Sequence, residues 1–197
     1  MVAIEHPKVF ISYAWESEEY KDQVRSFASD LMRDQVEVVL DQWSLREGND
    51  MYAFMEKSVT DPSITNVLIL LSPRYAEKAN AHAGGVGTEA QIISPEVYGK
   101  TDQTKFLPVV MQRRGDGAVC KPAYLGGTLY FDLSDPQTYG REYKRLVRSL
   151  YGIETHRMPE LGSRPTWLEE DEALVTADQK RLDSLRGNDP PQIKRRK

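Results

Sequence analysis

A doubly wound α/β domain built on a parallel sheet is what this 197-residue sequence predicts. Three observations carry the prediction. Short apolar runs alternate with stretches whose apolar residues recur at helical spacing, the pattern of consecutive βα units. The most apolar segment, Ile64–Leu71, ends in the unbroken run Val67–Leu71, as in a central parallel strand buried on both faces. The first run, Val9-Phe10-Ile11, passes directly into Ser12, Tyr13 and Trp15 and then into an acidic helical segment. Polar and aromatic residues are therefore expected, exposed, at a strand's carboxyl end, where open α/β sheets bind their ligands.

Each element follows from local pattern. Lys8–Ser12 is the first strand, and Glu16–Arg33 a helix whose Tyr20, Val24, Phe27, Ala28 and Leu31 share one face. Val36–Leu40 is the second strand, followed by a loop over Asp41–Asn49. Asp50 is a plausible N-cap for a helix carrying Met51, Phe54, Met55 and Val59. After the central strand a helical piece starts at Pro73, leads to the loop Gly84-Gly85-Val86-Gly87, and a further helix begins at Thr88. Phe106–Met111 and Thr128–Phe131 supply the last two strands. Tyr139–Tyr151 is a closing amphipathic helix with Tyr143, Leu146, Val147 and Leu150 on one face. Five strands of this size predict the flavodoxin-like order 2-1-3-4-5, with helices on both faces.

Composition narrows the function classes. At 40% hydrophobic and 28% charged the chain fills a core without being unusual. Its formal net charge of −4 lacks the basic field of a general nucleic-acid binder, so no nucleic-acid partner is expected. A single cysteine, Cys120, rules out an intramolecular disulfide and fits a reducing cytoplasm. The N-terminus has no apolar signal core, and the longest apolar run, Val67–Leu71, is too short to cross a bilayer, so no membrane association is expected. The folded domain is placed at residues 1–152. A linker punctuated by Pro159, Gly162 and Pro165 opens a helical extension over 153–186, with its helix at Trp167–Leu185. Residues 187–197 form a basic tail read as disordered and solvated, with a partner contact as the other reading.

In the 2-1-3 order the switch point lies between the first and third strands. The segments that open there carry Ser12, Tyr13, Trp15 and Glu16 after the first strand. Asp41, Gln42, Trp43, Arg46 and Glu47 follow the second, and Ser72, Tyr75, the glycine loop and Glu89 follow the third. Aromatic rings suit a flat ring or purine, and arginine suits phosphate. Tyr13, Trp15 and Trp43 equally fit plain packing roles. Glu89 stands in Thr88-Glu89-Ala90-Gln91, which has the form of a capping box and places an ionised carboxylate in a first helical turn. It either serves the helix dipole alone or faces a ligand admitted by the glycines, Gly85 among them. Gly85-Val86-Gly87-Thr88-Glu89-Ala90 also spells a dinucleotide fingerprint, but it follows the third strand at a distance of about a dozen residues instead of opening the first βαβ unit. A phosphorylation-receiver domain would want aspartate where Leu71-Ser72 stands. His6, His82 and His156 have no metal-site spacing, so no metal is expected.

Four stretches resemble one family. Val9-Phe10-Ile11-Ser12-Tyr13 is similar to the first-strand signature of TIR (Toll/interleukin receptor) domains. Val39-Leu40-Asp41-Gln42-Trp43-Ser44-Leu45-Arg46-Glu47-Gly48-Asn49-Asp50 resembles the second strand and BB loop of their SEFIR relatives. Ser72-Pro73-Arg74-Tyr75 and Gly84–Glu89 resemble bacterial SEFIR-type sequences, and the resemblance to this TIR/SEFIR (STIR) superfamily spans about residues 7–151. It implies an immune or anti-phage signalling module. Many bacterial TIR domains cleave NAD⁺ between nicotinamide and ribose, by hydrolysis or cyclisation, and are activated by self-assembly. By position Glu89 matches their essential carboxylate, although Gly-Val-Gly-Thr replaces the Trp-Cys context of those enzymes. The resemblance further implies NAD⁺ as substrate with no resident cofactor, and Ser12, Tyr13, Trp15, Asp41, Trp43, Arg46, Ser72 and Gly85 as substrate contacts. It implies self-association through the BB loop and outer helices, with a separate sensor or effector protein as a further partner. The competing implication is a non-enzymatic adaptor that binds others of its kind.

Overall fold

The computed structural model describes residues 5–82, 92–153 and 159–186. The chain divides into two units, residues 1–156 and 157–197.

The first unit holds a five-stranded, all-parallel sheet of order β2-β1-β3-β4-β5, in agreement with the sequence. The strands are β1 (Lys8–Tyr13), β2 (Glu37–Val39), β3 (Asn66–Leu71), β4 (Phe106–Val110) and β5 (Phe131–Asp132). The period-2 alternation of strand side chains sorts the core into two layers. Val9, Ile11, Tyr13, Leu68, Leu70 and Val109 pack on one face against α1 (Glu18–Arg33) and α6 (Tyr139–Leu150). Phe10, Val67, Ile69, Leu71, Phe106 and Val110 pack on the other against α3 (Met51–Thr60), α4 (Pro73–His82) and α5 (Pro95–Lys100). Burial on both faces is why Val9–Ile11 in β1 and Val67–Leu71 in β3 are unbroken apolar runs.

Helix ends are closed by side chains. Ser17 caps α1 by accepting from Tyr20 N at 3.1 Å, and Asp50 caps α3 by accepting from Ala53 N at 3.0 Å. The Lys105 ammonium donates to Val59 O and Asp61 O, each at 2.8 Å, at the far end of α3. Burial of that ammonium holds its pKa below the ordinary lysine value. Tyr143 Oη donates to Asp34 Oδ2 and Tyr151 Oη to Asp34 O, both at 2.8 Å, fastening α6 to the carboxyl end of α1.

Three elements depart from the sequence reading. Asp41–Ser44, expected as loop, forms a one-turn helix, α2, because Leu40 O accepts from both Trp43 N and Ser44 N. The start expected at Thr88 lies outside the described residues; among those described, Ile92–Ser94 are not helical, and α5 begins at Pro95 under a Ser94 cap. The fifth strand, expected at Thr128–Phe131, lies at Phe131–Asp132. Met111 N donates to Leu71 O, so the alternate residue Pro108 turns its nitrogen toward the β5 side with no hydrogen to offer. Upstream, Thr128 O and Tyr130 O accept from Lys121 and Arg145 side chains instead of a ladder.

β5 is held from its side chain as well. Arg113 pairs with Asp132 and donates to Ser134 Oγ, while Ser134 Oγ donates to Asp132 Oδ1 at 2.6 Å. Burial tends to raise the Asp132 pKa, but the Ser134 bonds and the Arg113 guanidinium outweigh it and hold it below the ordinary value. A carboxylate with a lowered folded-state pKa stabilises above the unfolded pKa and loses that contribution as pH falls through the folded value. Asp132→Asn is therefore expected to cost about 1–2 kcal/mol at neutral pH and close to nothing well below the carboxylate range. Urea denaturation of both proteins at neutral pH and at acid pH checks this; a cost independent of pH would overturn it.

In the second unit, α7 (Thr166–Arg186) is a 21-residue helix. Among the described residues no helix is long and apolar enough to cross a membrane, and no group of three His, Cys, Asp or Glu is placed to hold a metal ion.

Candidate functional site

A cleft of ≈ 440 Å³ opens at the carboxyl edge of β1 and β2, between the first turns of α1 and the segment from Asp41 to Met51. Trp15, Asp41 and Arg46 line it together with Glu18, Lys21 and Arg25. Trp15 is 37% exposed, and its ring is fixed in place. The indole N–H donates to Asp41 Oδ2 at 2.7 Å, and the Lys21 ammonium lies 4.7 Å from the ring centroid. Asp41 Oδ1 accepts from Gln42 N at 2.7 Å, so the nearly buried carboxylate holds both the rim of α2 and the indole.

Gln42 sits below that pair. Its Nε2 donates to Tyr13 Oη at 2.8 Å, and its Oε1 accepts from Arg25. Burial, reinforced by the Asp41 charge, raises the Tyr13 pKa far above the usual phenol value, so the ring stays neutral. Lys21 is bridged to Glu18 at 2.8 Å and Arg25 to Asp22, whereas the Arg46 side chain has no hydrogen bond or ion pair among the described residues. The cleft thus offers one flat ring, three cations and carboxylates at its rim.

A second cluster marks the switch point between β1 and β3. Ser72 Oγ donates to Glu16 Oε1 and accepts from Tyr75 N at 3.1 Å. Tyr75 Oη lies 3.2 Å from Ser12 Oγ and accepts from Ile93 N at 3.2 Å. These bonds tie the ends of β1 and β3 to the segment that leads into α5. Lys78 Nζ donates to Trp15 O at 3.2 Å and secures the same loop from α4.

The expected site residues divide accordingly. Trp15, Asp41 and Arg46 meet in the cleft. Tyr13 lies beneath it, in contact with Gln42 and within the electrostatic reach of Asp41. Ser12 and Tyr13 were expected to be exposed; both are buried, because Tyr75 and Gln42 cover the end of β1. Ser72 is likewise buried, engaged with Glu16 and the start of α4. Trp43 is 46% exposed on α2 and does not line the cleft. Gly85 and Glu89 lie outside the described residues. Sequence reasoning missed Glu18, Lys21 and Arg25, since α1 was read by its apolar face. Their signal was present in the i, i+3 and i+4 spacing of those charges after the Ser17 cap.

The family model described as SEFIR domain matches residues 7–139. The crystal structure of a prokaryotic SEFIR domain superposes with a TM-score of 0.67 at 36% identity, covering 79% of this chain and 99% of that one. The TIR domain of a Toll-related receptor from Hydra magnipapillata superposes with a TM-score of 0.52 at 13% identity, covering 72% of this chain and 96% of that one, a likeness of fold alone. No curated protein matches the sequence. Sheet order, the cleft beside the BB-loop region and the match over most of the chain lead to one conclusion: this chain belongs to the SEFIR domain family.

Proposed function

We propose that this SEFIR domain cleaves NAD⁺ between nicotinamide and ribose when copies of it assemble, as an effector in prokaryotic immune signalling in the cytoplasm. The observation that supports the reading most is the cleft: ≈ 440 Å³ lies in the range of small-molecule sites, and its lining suits a dinucleotide. Trp15, braced by Asp41 and Lys21, offers a stacking face for a base or for nicotinamide. Arg46, with Lys21 and Arg25 nearby, offers charge for the diphosphate.

In the reaction the bond from the ribose C1′ to the ring nitrogen breaks and its electron pair leaves with nicotinamide, which becomes neutral. The sugar passes through an oxocarbenium-like state, as in glycoside hydrolysis. A carboxylate beside it stabilises the developing positive charge, and Glu89 is assigned that role. Water, losing a proton, or a nucleophile within the ADP-ribose itself then closes the reaction. Tyr13 lies beneath the cleft instead of touching substrate, and Ser12 and Ser72 are buried in the cluster at the switch point.

The second reading is an adaptor that only binds others of its kind. The large exposed rings of Trp43 and Tyr52, both in the Asp41–Tyr52 stretch and neither lining the cleft, favour a protein contact there. One assay separates the two. Nicotinamide release from NAD⁺ is expected to rise more than linearly with protein concentration, and Trp15→Ala is expected to raise KM more than it lowers kcat, since stacking acts on bound substrate and transition state alike. Absence of nicotinamide release by the assembled wild type would leave the adaptor reading in its place.

A further inference from the structure

We infer that α7 is a dimerisation helix whose partner is α7 of a second copy of this chain, running antiparallel. The inference does not rest on NAD⁺ cleavage.

The helix leaves four large apolar side chains in water: Trp167 is 58% exposed, Leu174 66%, Val175 69% and Leu182 53%. Their spacing is regular. Trp167 and Leu174 are seven residues apart, as are Val175 and Leu182, so they form two adjacent rows at heptad spacing along a helix about 31 Å long. Most of a helix's stability in a protein comes from packing its apolar face, and the apolar rows of α7 are exposed.

Charge selects the occupant and its direction. Residues 169–172 read Glu-Glu-Asp-Glu, and the half from Thr166 to Val175 has no basic residue, for a net charge of −4. The half from Thr176 to Arg186 carries Lys180, Arg181 and Arg186 against Asp178 and Asp183, which gives 3 − 2 = +1. A parallel pair would set each acidic half against its own copy. An antiparallel pair centred on Thr176 sets acidic against basic at both ends, and by two-fold symmetry it does so twice. In that register Asp171 of each copy faces Arg181 of the other. Both stand on the apolar side: Arg181 continues the Trp167–Leu174 row, and Asp171 lies between the rows. Polar residues placed in such a seam are what set register and direction in paired helices. Glu172 is already engaged by Arg164 within the same unit, whereas neither Asp171 nor Arg181 forms an ion pair among the described residues. The second copy therefore supplies the apolar cover and the charge partner together.

Sedimentation velocity on the full chain tests the inference. The wild type is expected to be a dimer, and the double variant Leu174→Glu, Leu182→Glu a monomer at the same concentration. Arg181→Glu is expected to weaken the dimer by about tenfold, since it turns two attractive pairs into two repulsive ones. Adding Asp171→Arg to Arg181→Glu is expected to restore it, a rescue that only the antiparallel register provides. The urea midpoint of the sheet domain should be unchanged in all variants, because none of the substitutions lies in its core. A monomeric wild type, a dimer that survives Leu174→Glu with Leu182→Glu, or a charge exchange that fails to rescue would each overturn the inference.

Discussion

Glu89→Gln is expected to stop nicotinamide release while leaving the protein folded. Glutamine keeps the size and much of the hydrogen bonding of glutamate and removes only the charge. If the carboxylate faces the cation that develops on the ribose, its loss should slow the reaction by about 10²–10³-fold, the scale of other electrostatic stabilisers of transition states. If Glu89 serves only a helix dipole, the same change should cost about 0.3–1 kcal/mol of stability and leave the rate alone. The two outcomes are read in one preparation, by nicotinamide release from the assembled protein and by thermal melting. Wild-type rates in the variant would remove Glu89 from the reaction. A lost rate with an unchanged melting temperature would support the role assigned to it.

Leu70→Ala is expected to destabilise the sheet domain by about 2–5 kcal/mol, a large part of the stability of an ordinary domain. Leu70 is fully buried in β3, with Tyr13 opposite it in β1 and Val109 opposite it in β4, under the layer formed by α1 and α6. No neighbour on three sides can move to fill the space without disturbing a strand or a helix. Urea denaturation should show a lower midpoint with an unchanged slope. Glu77→Ala removes the exposed ion pair with Arg74 and should cost no more than about 1 kcal/mol. Equal costs for the two substitutions would contradict the central position of β3.

The two substitutions probe different levels of the molecule, and the sequence spoke to them unequally. Which segments form strands, that the sheet is parallel, and that its order is 2-1-3-4-5 were legible from the apolar runs of β1, β3 and β4 and the amphipathic spacing of α1 and α6. Those signals are local and periodic: a run buried on both faces leaves no polar positions, and a helix on one face repeats every three to four residues. That Trp15, Asp41 and Arg46 stand together at one edge of the sheet was legible as well, because parallel strands fix which loops share the carboxyl edge.

What the sequence could not decide depended on contacts between distant residues. Ser12, Tyr13 and Ser72 have the composition of ligand contacts, yet each is buried because a residue far along the chain, Tyr75, Gln42 or Glu16, takes its polar atom. Trp15 and Trp43 look alike in the sequence, but only Trp15 meets the acceptor, Asp41, that holds an indole at the cleft. Lys21 and Arg25 belong to the cleft because the loop after β2 folds back over the first turns of α1. The start of β5 was misplaced because Pro108, Lys121 and Arg145 remove its ladder partners from outside the strand. Local pattern determined the elements and their order, since burial of a face is written in the residues of that face; tertiary structure alone decided which polar atoms remain free to bind, since that depends on partners that only folding brings within hydrogen-bond distance.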